Sequence, residues 1–206
     1  MSEPTAIDTP GTPDTPAASP RRVAPFVVLA VAVVMAALFF VLASGNSGPD
    51  DEVGIIDSPL LGRAAPTVRS TTLDGEPFDL ARRKGSWVVV NFFNSTCAPC
   101  RAEHPALVEF AEQQKTFGAD GAELYTMLQI NDDIEDVKNF FLTRGGDWPI
   151  VRDDEGTTNV AFGVALVPET FIIAPDGTVV LRWAGQIDAD TLSRLVQQQR
   201  EMYAGA

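Results

Sequence analysis

The sequence is poor in cysteine and histidine, the main ligands of structural zinc, and in positive charge. Its 206 residues include only two cysteines and one histidine. A structural zinc site takes four ligands, so these three residues argue against one. Lysine and arginine number 15 against 28 aspartates and glutamates, a formal net charge of −13. Binding of nucleic acid needs clustered positive charge, so the acidic excess argues against that function and indicates a soluble, self-repelling surface.

Internal repeats are also absent, and one long segment has no charged or strongly polar side chain. This segment is residues 23–43. A helix of that length spans about 30 Å, the thickness of the hydrocarbon core of a bilayer. A cleaved signal peptide has a shorter apolar region of about 7–15 residues, although Val41-Leu42-Ala43 would suit a cleavage site. We therefore predict a single transmembrane anchor.

The charges on either side of this segment predict its orientation. Arg21 and Arg22 precede it, and an Asp-Asp-Glu run follows it at 50–52. The positive-inside rule places the basic flank in the cytoplasm, so we expect a single-pass protein of the cell membrane whose C-terminal part is extracytoplasmic. Residues 1–22 are predicted to be a disordered cytoplasmic tail, and residues 44–59, rich in Gly, Pro and Asp, a flexible linker.

From residue 60 to 206 the chain alternates between strand and helix patterns. Trp87–Phe93 is a continuous β-branched and aromatic run, typical of a strand buried on both faces. A helix is predicted from Ala98 to about Phe117, and a further strand at Glu123–Ile130. A hairpin at 67–80 comes before these elements, and a helix at 134–141, a hairpin at 171–181 and a helix at 190–203 come after them. This order predicts an α/β sandwich with a mixed sheet and helices on both faces.

The two cysteines lie three positions apart, where the buried strand meets the helix. Cys97 is expected at the N-cap with its sulfur exposed, and Cys100 one turn further and more buried. The free N–H groups and partial positive charge of a helix N-terminus favour a thiolate there. Attack by Cys97 on a disulfide and resolution by Cys100 are then possible. A structural disulfide is disfavoured, because closing so short a loop removes little entropy from the unfolded chain.

Two segments resemble the signatures of the TlpA/ResA/CcmG (DsbE) branch of the thioredoxin-like proteins. They are residues 89–105 and 163–173, with Leu73-Asp74-Gly75 upstream and an Asp176-Gly177 turn downstream. The resemblance covers about residues 60–200 and implies the thioredoxin fold without a cofactor. It implies a membrane-tethered reductase that keeps the haem-binding cysteines of apocytochrome c reduced, with a membrane thiol reductase as electron donor. Thr96 stands where these proteins usually carry Trp, a departure that bears on the choice of partner.

The resemblance also assigns roles to residues outside the dithiol. Pro168 is implied to be a cis-proline beside the cysteines, which holds a client chain extended and keeps metal away from the sulfurs. Glu103 is implied to tune the thiols and relay protons. An ionised carboxylate at that place would oppose thiolate formation and so favour a reductant. Glu169 is a second carboxylate that could act in the same way.

Two other functions stay open at this point. The dithiol alone does not separate a reductant from a disulfide-forming oxidase or isomerase, because the potential depends on thiolate stabilisation in three dimensions. A copper-binding or redox-sensing protein without turnover would use a distant histidine, whereas His104 lies on the helix of the cysteines. We expect His104 at the surface or at a helix kink made by Pro105, outside the site. The dithiol predicts a thiol:disulfide oxidoreductase, and the resemblance implies a reductase that acts on exported proteins with cysteine pairs.

Overall fold

The computed structural model describes residues 24–44 and 54–205, which belong to two compact units, 1–48 and 49–206. The predicted tail and residues 45–53 of the predicted linker lie outside the described residues. In the first unit, helix α1 covers Ala24–Ser44, where the anchor is predicted. Its side chains at 27–38 are exposed. Among the residues that the structure describes with their side chains, no helix is both long and apolar enough to cross a membrane.

Residues 54–205 contain eight strands. They are β1 Gly54–Ile55, β2 Arg69–Thr71, β3 Pro77–Asp79, β4 Val88–Phe93, β5 Glu123–Leu128, β6 Ile150–Val151, β7 Glu169–Ile173 and β8 Val179–Ala184. Six of them form one sheet in the order β1-β8-β7-β4-β5-β6, and β2 pairs with β3 in a separate hairpin. Strands β4, β5 and β6 are parallel, whereas β7, β8 and β1 join as successive antiparallel neighbours.

The helices of this unit pack on both faces of the sheet. They are α2 Ala98–Lys115, α3 Ile134–Arg144, α4 Thr157–Phe162 and α5 Ala189–Ala204. Apolar side chains of α2, α3 and α5 share a core with Val89 and Phe93 of β4. Phe162 of α4 lies in the core of the opposite face, together with Phe78 of the hairpin and Phe92 of β4. The predicted α/β sandwich with a mixed sheet is therefore confirmed.

Local sequence explains most element boundaries. All six residues of β4 are buried, as its unbroken apolar run predicts. The Asp133 carboxylate caps α3 by accepting hydrogen bonds from two backbone N–H groups, and the Asp188 carboxylate caps α5 by accepting one from the Thr191 N–H. Capping residues in the sequence thus position the starts of α3 and α5.

Three short features were not predicted. Strand β6 and helix α4 have two and six residues, too few to show a hydrophobic period. The predicted linker is wrong in its last part, because Gly54 and Ile55 pair with Ala184 and Trp183 as the edge strand β1. The free edge of β8 decides that pairing, and a two-residue strand leaves no pattern in the sequence.

Candidate functional site

The dithiol lies at the junction of β4 and α2. Cys97 is the N-cap residue of α2, and the N–H of Cys100 donates to its sulfur over 3.2 Å. The two sulfurs form a disulfide. Cys97 is partly exposed, whereas Cys100 is 1% exposed within the core. A reagent or client therefore reaches Cys97 first, which is the asymmetry that disulfide exchange requires.

The turn before Cys97 is fixed by side chains on either side. The Asp132 carboxylate, from the loop after β5, accepts hydrogen bonds from the Ser95 N–H (2.6 Å) and from the Ser95 hydroxyl. Arg101 donates to the Ser95 carbonyl over 3.0 Å, and its guanidinium lies 5.1 Å from the Phe140 ring. Burial raises the pKa of Asp132. Asp132 was not predicted as a site residue, and it lies next to Asp133, the N-cap residue of α3.

The loop before β7 presents its backbone to the dithiol. The Val167–Pro168 peptide bond is cis, as the resemblance implies. The Val167 carbonyl oxygen lies 3.4 Å from the Cys97 sulfur. The Pro168 carbonyl accepts a hydrogen bond of 2.9 Å from the Gly185 N–H. Pro168 thus lies in the loop that touches the reactive sulfur.

Glu103 is buried in α2, with 3% exposure. Neither of its carboxyl oxygens has a hydrogen-bond partner among the described residues. Burial raises its pKa from 4.5 to about 8, although the nearby Ile187 backbone and Asn91 side chain oppose the shift. The carboxyl is therefore mostly protonated at neutral pH in the oxidised protein. The expected repulsion of a thiolate by an ionised Glu103 does not apply to this state.

Asn91 is a buried polar neighbour that sequence reasoning missed. It lies in the middle of β4 with 1% exposure, and its amide nitrogen donates to the Thr170 hydroxyl over 3.1 Å. Its amide oxygen has no partner within the described ranges. The available signal was one polar residue inside a run of apolar ones, since a buried amide needs a partner.

Glu169 does not take the expected place beside the thiols. Its carboxylate forms a buried ion pair with Arg182 of β8 at 2.8 Å. The cation compensates its charge, so the idea that Glu169 disfavours thiolates as a free carboxylate is wrong. Arg182 was not predicted as a site residue, because it comes 13 positions after its partner and on another strand.

His104 is buried, so the surface position, one of the two places expected for it, is wrong. It is 2% exposed and packs against the rings of Phe140, Phe141 and Trp148. Its Nε2 lies 2.9 Å from the Gly145 carbonyl oxygen, to which it can donate. Burial lowers its pKa, so the neutral form is favoured. An aromatic box contributed by α3 and the segment after it explains this burial.

An open cleft of about 460 Å³ lies next to the Cys97 turn. It runs between the start of α2 and α3 and is lined by Ser95, Thr96, Arg101, Asp136, Asn139, Phe140 and Thr143. Thr96, the departure noted above, forms part of its wall. Across residues 24–44 and 54–205, no group of three or more His, Cys, Asp or Glu side chains could hold a metal ion.

Comparisons with known proteins agree with this geometry. Residues 61–182 match the AhpC/TSA family. The chain is 33% identical to the thiol:disulfide interchange protein DsbE homolog of Paracoccus denitrificans, over 81% of this chain and 88% of that protein. It is 31% identical to the thiol:disulfide interchange protein HelX of Rhodobacter capsulatus, over 76% and 86%.

A solved structure shares the fold. The crystal structure of a thiol:disulfide interchange protein of the thioredoxin family from Chlorobium tepidum superimposes with a TM-score of 0.59 at 29% sequence identity. The similarity covers 69% of this chain and 98% of that one. The residues that match the AhpC/TSA family, 61–182, contain the dithiol and the loop of Pro168.

Proposed function

Because this chain belongs to the AhpC/TSA family and is a thiol:disulfide oxidoreductase with a thioredoxin-like fold, we propose that it reduces disulfides of exported proteins. The leading client is apocytochrome c. The observation that carries the proposal is the dithiol at the start of α2, with Cys97 accessible, Cys100 buried and the Val167 carbonyl against the reactive sulfur. The relatives named DsbE homolog and HelX support the assignment to the TlpA/ResA/CcmG (DsbE) branch of the thioredoxin-like proteins.

Each step of the exchange has a residue to perform it. The Cys97 thiolate attacks a client disulfide, forms a mixed disulfide and releases the other client sulfur as a thiolate, which takes a proton from water. Cys100 then gives up its proton and attacks Cys97, which releases the second client thiolate. Glu103 lies three residues after Cys100 on α2, about one helical turn away, and its buried carboxylate is the group to which we assign the Cys100 proton. Its raised pKa in the oxidised protein matches a carboxyl that has just received one.

The surroundings of the sulfur favour a reductant over an oxidant. A strong oxidant stabilises its thiolate, because that stabilises the reduced form. Here the N–H of Cys100 donates to the Cys97 sulfur, and the carbonyl oxygen of Val167 lies 3.4 Å from the same sulfur. The negative end of that carbonyl dipole opposes a thiolate. The disulfide form is thereby favoured, and the potential becomes more negative.

We also propose that the protein is anchored in the cell membrane with the dithiol outside the cytoplasm. The support is the apolar segment 23–43, which the helix α1 at Ala24–Ser44 covers almost entirely, and the basic pair Arg21 and Arg22 before it. Thiols on that side of the membrane need electrons from the cytoplasm. A membrane thiol reductase is the kind of donor that would supply them.

The reduction potential tests the direction of the reaction. Equilibration of the dithiol with dithiothreitol or glutathione buffers should give a value nearer to about −270 mV, typical of a reductant, than to about −120 mV, typical of a strong oxidant.

Deletion of the gene should lower c-type cytochromes, and added small thiols should restore them. A Cys100→Ala variant should trap clients as mixed disulfides, and Cys97→Ala, the matched control, should trap none. A potential near the oxidant value together with normal cytochromes would assign the protein to disulfide formation instead.

A further inference from the structure

The loop that touches the dithiol has little regular structure of its own. Helix α4 ends at Phe162, and Gly163 follows with a left-handed φ of 66°. Strand β7 begins at Glu169, so residues 163–168, here called the proline loop, belong to neither element. Leu166 is exposed in this loop, whereas Pro168 is buried. Something outside the loop must therefore hold the Val167 carbonyl against the Cys97 sulfur.

The Arg182 guanidinium binds the first residue of the proline loop and the residue that directly follows the loop. Arg182 donates from Nε to the Glu169 carboxylate over 2.8 Å and from a terminal nitrogen to the Gly163 carbonyl over 3.0 Å. The other oxygen of Glu169 accepts a longer bond of 3.4 Å from the Ala165 N–H. Arg182 and Glu169 thus connect the first residue of the loop, its third residue and the strand that follows it.

Stability alone does not explain why a charged pair occupies this place. The side chains of Arg182 and Glu169 are 11% and 5% exposed. Removing two charges from water costs much of what their attraction returns, and apolar side chains of similar volume often stabilise a fold equally well. The guanidinium also lies 5.5 Å from the Phe171 ring, so an apolar side chain would find packing partners there. What an apolar pair could not supply is the set of directed hydrogen bonds to the loop.

We propose that Arg182 is a positioning residue for client binding, which fixes the proline loop beside Cys97 through Glu169 and the Gly163 carbonyl. A client chain that binds along this loop before its disulfide reacts then meets a surface already in place. The planar fork of arginine suits this role, because it donates in two directions at once, whereas a lysine ammonium acts as a point charge. The role applies to reduction and to oxidation of a client alike, so it does not depend on the direction proposed above.

Single-turnover kinetics of the reduced protein test this role. Insulin serves here as the protein substrate that carries disulfides. Arg182→Lys keeps the positive charge but loses the planar fork of the guanidinium. We expect the insulin concentration at half the limiting rate to rise about tenfold, the effect of one lost hydrogen bond that orders a binding loop. The limiting rate should change little. Reaction with the small disulfide DTNB, which does not need to bind along the loop, should change much less than reaction with insulin. A merely structural role would not separate a protein disulfide from a small one.

Two further variants keep the test decisive. Arg152→Lys changes an arginine of the exposed pair with Asp154, and it should bind insulin like the wild type. The double variant Arg182→Met with Glu169→Leu removes the hydrogen bonds without leaving a buried charge, so it should fold and still lose insulin binding. The proposal would be overturned if Arg182→Lys slowed the reactions with insulin and with DTNB by the same factor. A folded double variant that binds insulin like the wild type would also overturn it.

Discussion

At the scale of single residues, two neighbours on α2 are buried in uncharged form. Glu103 faces the amide of Asn91 beneath the dithiol, and burial raises its pKa to about 8. His104, about 100° further round the helix, lies in an aromatic box, and burial lowers its pKa. A charge in either position would lack solvation. Both shifts therefore favour the neutral form around pH 7, and Glu103 keeps a proton within one turn of Cys100.

The free energy of unfolding of the oxidised protein should depend on pH in a way that shows whether Glu103 is protonated. Its pKa is higher in the folded protein than in the unfolded chain, where the ordinary value is 4.5, so the folded state binds more protons between 4.5 and about 8. Stability therefore falls as the pH rises through this window, by up to about 1.4 kcal/mol per pH unit. Glu103→Gln should remove this part of the pH dependence.

Urea unfolding of the oxidised proteins at several pH values between 4.5 and 9 measures the effect. Glu109→Gln is the matched control, because Glu109 is exposed on the same helix, and it should follow the wild type. Wild-type and Glu103→Gln curves that stay parallel across the window would mean that Glu103 is already ionised when buried.

At the scale of elements, the N-terminus of α2 is held from three directions. Asp132 binds the Ser95 backbone, Arg101 binds the Ser95 carbonyl, and the Val167 carbonyl lies against Cys97. The loops after β4 and β5 meet here, because both strands are parallel and end at the same edge of the sheet. The first turn of α2 is therefore pre-arranged for the chemistry of its N-cap sulfur.

The two cysteines should differ strongly in reactivity once the disulfide is reduced. Cys97 is partly exposed at the N-cap, whereas Cys100 is 1% exposed. We expect iodoacetamide to modify Cys97 at least about tenfold faster, with a thiol pKa near or below the free value of about 8.5. Mass spectrometry of timed samples, with Cys97→Ala and Cys100→Ala to assign each rate, measures this. Equal rates would show that the helix does not begin at Cys97 in the reduced protein.

At the scale of the whole molecule, the two faces of the sheet contribute differently to the site. The face of α2, α3 and α5 holds the cysteines, and Glu103 and His104 are buried on α2. The other face holds α4, which leads into the proline loop. Strands β7 and β8 join the two halves of the site through the pair of Glu169 and Arg182. The site is thus a product of the complete domain and not of the dithiol segment alone.

The proposed anchor predicts where a protease can reach this domain. In intact spheroplasts, added protease should digest the C-terminal domain while a cytoplasmic marker protein stays whole. The physical reason is the apolar segment 23–43 with its basic flank, which orients the chain with residues after 44 outside. Western blots against the domain, with detergent-lysed cells as the control, measure this. Protection of the domain, or a mature N-terminus near Ser44, would contradict an uncleaved anchor.

Local patterns in the sequence determined much of the fold and the centre of the site. The buried strand, the helix after it and the Cys97–Cys100 spacing are all properties of neighbouring residues, and the structure has β4, α2 and the dithiol at those places. Hydrophobic period and capping residues act over one or two turns, so a linear reading recovers them. The shortest elements, β6 and α4, carry too few residues for such a pattern.

Only the tertiary structure decided the charge state and the partners of the polar residues. Glu169 meets Arg182 from a neighbouring strand, Ser95 meets Asp132 across 37 positions, and His104 meets Gly145 across 41. The protonation of Glu103 depends on how completely the folded chain excludes water from its carboxyl group. Burial and pairing over such separations follow from packing. A pKa is set by the surroundings of a group in space, and a sequence does not state them.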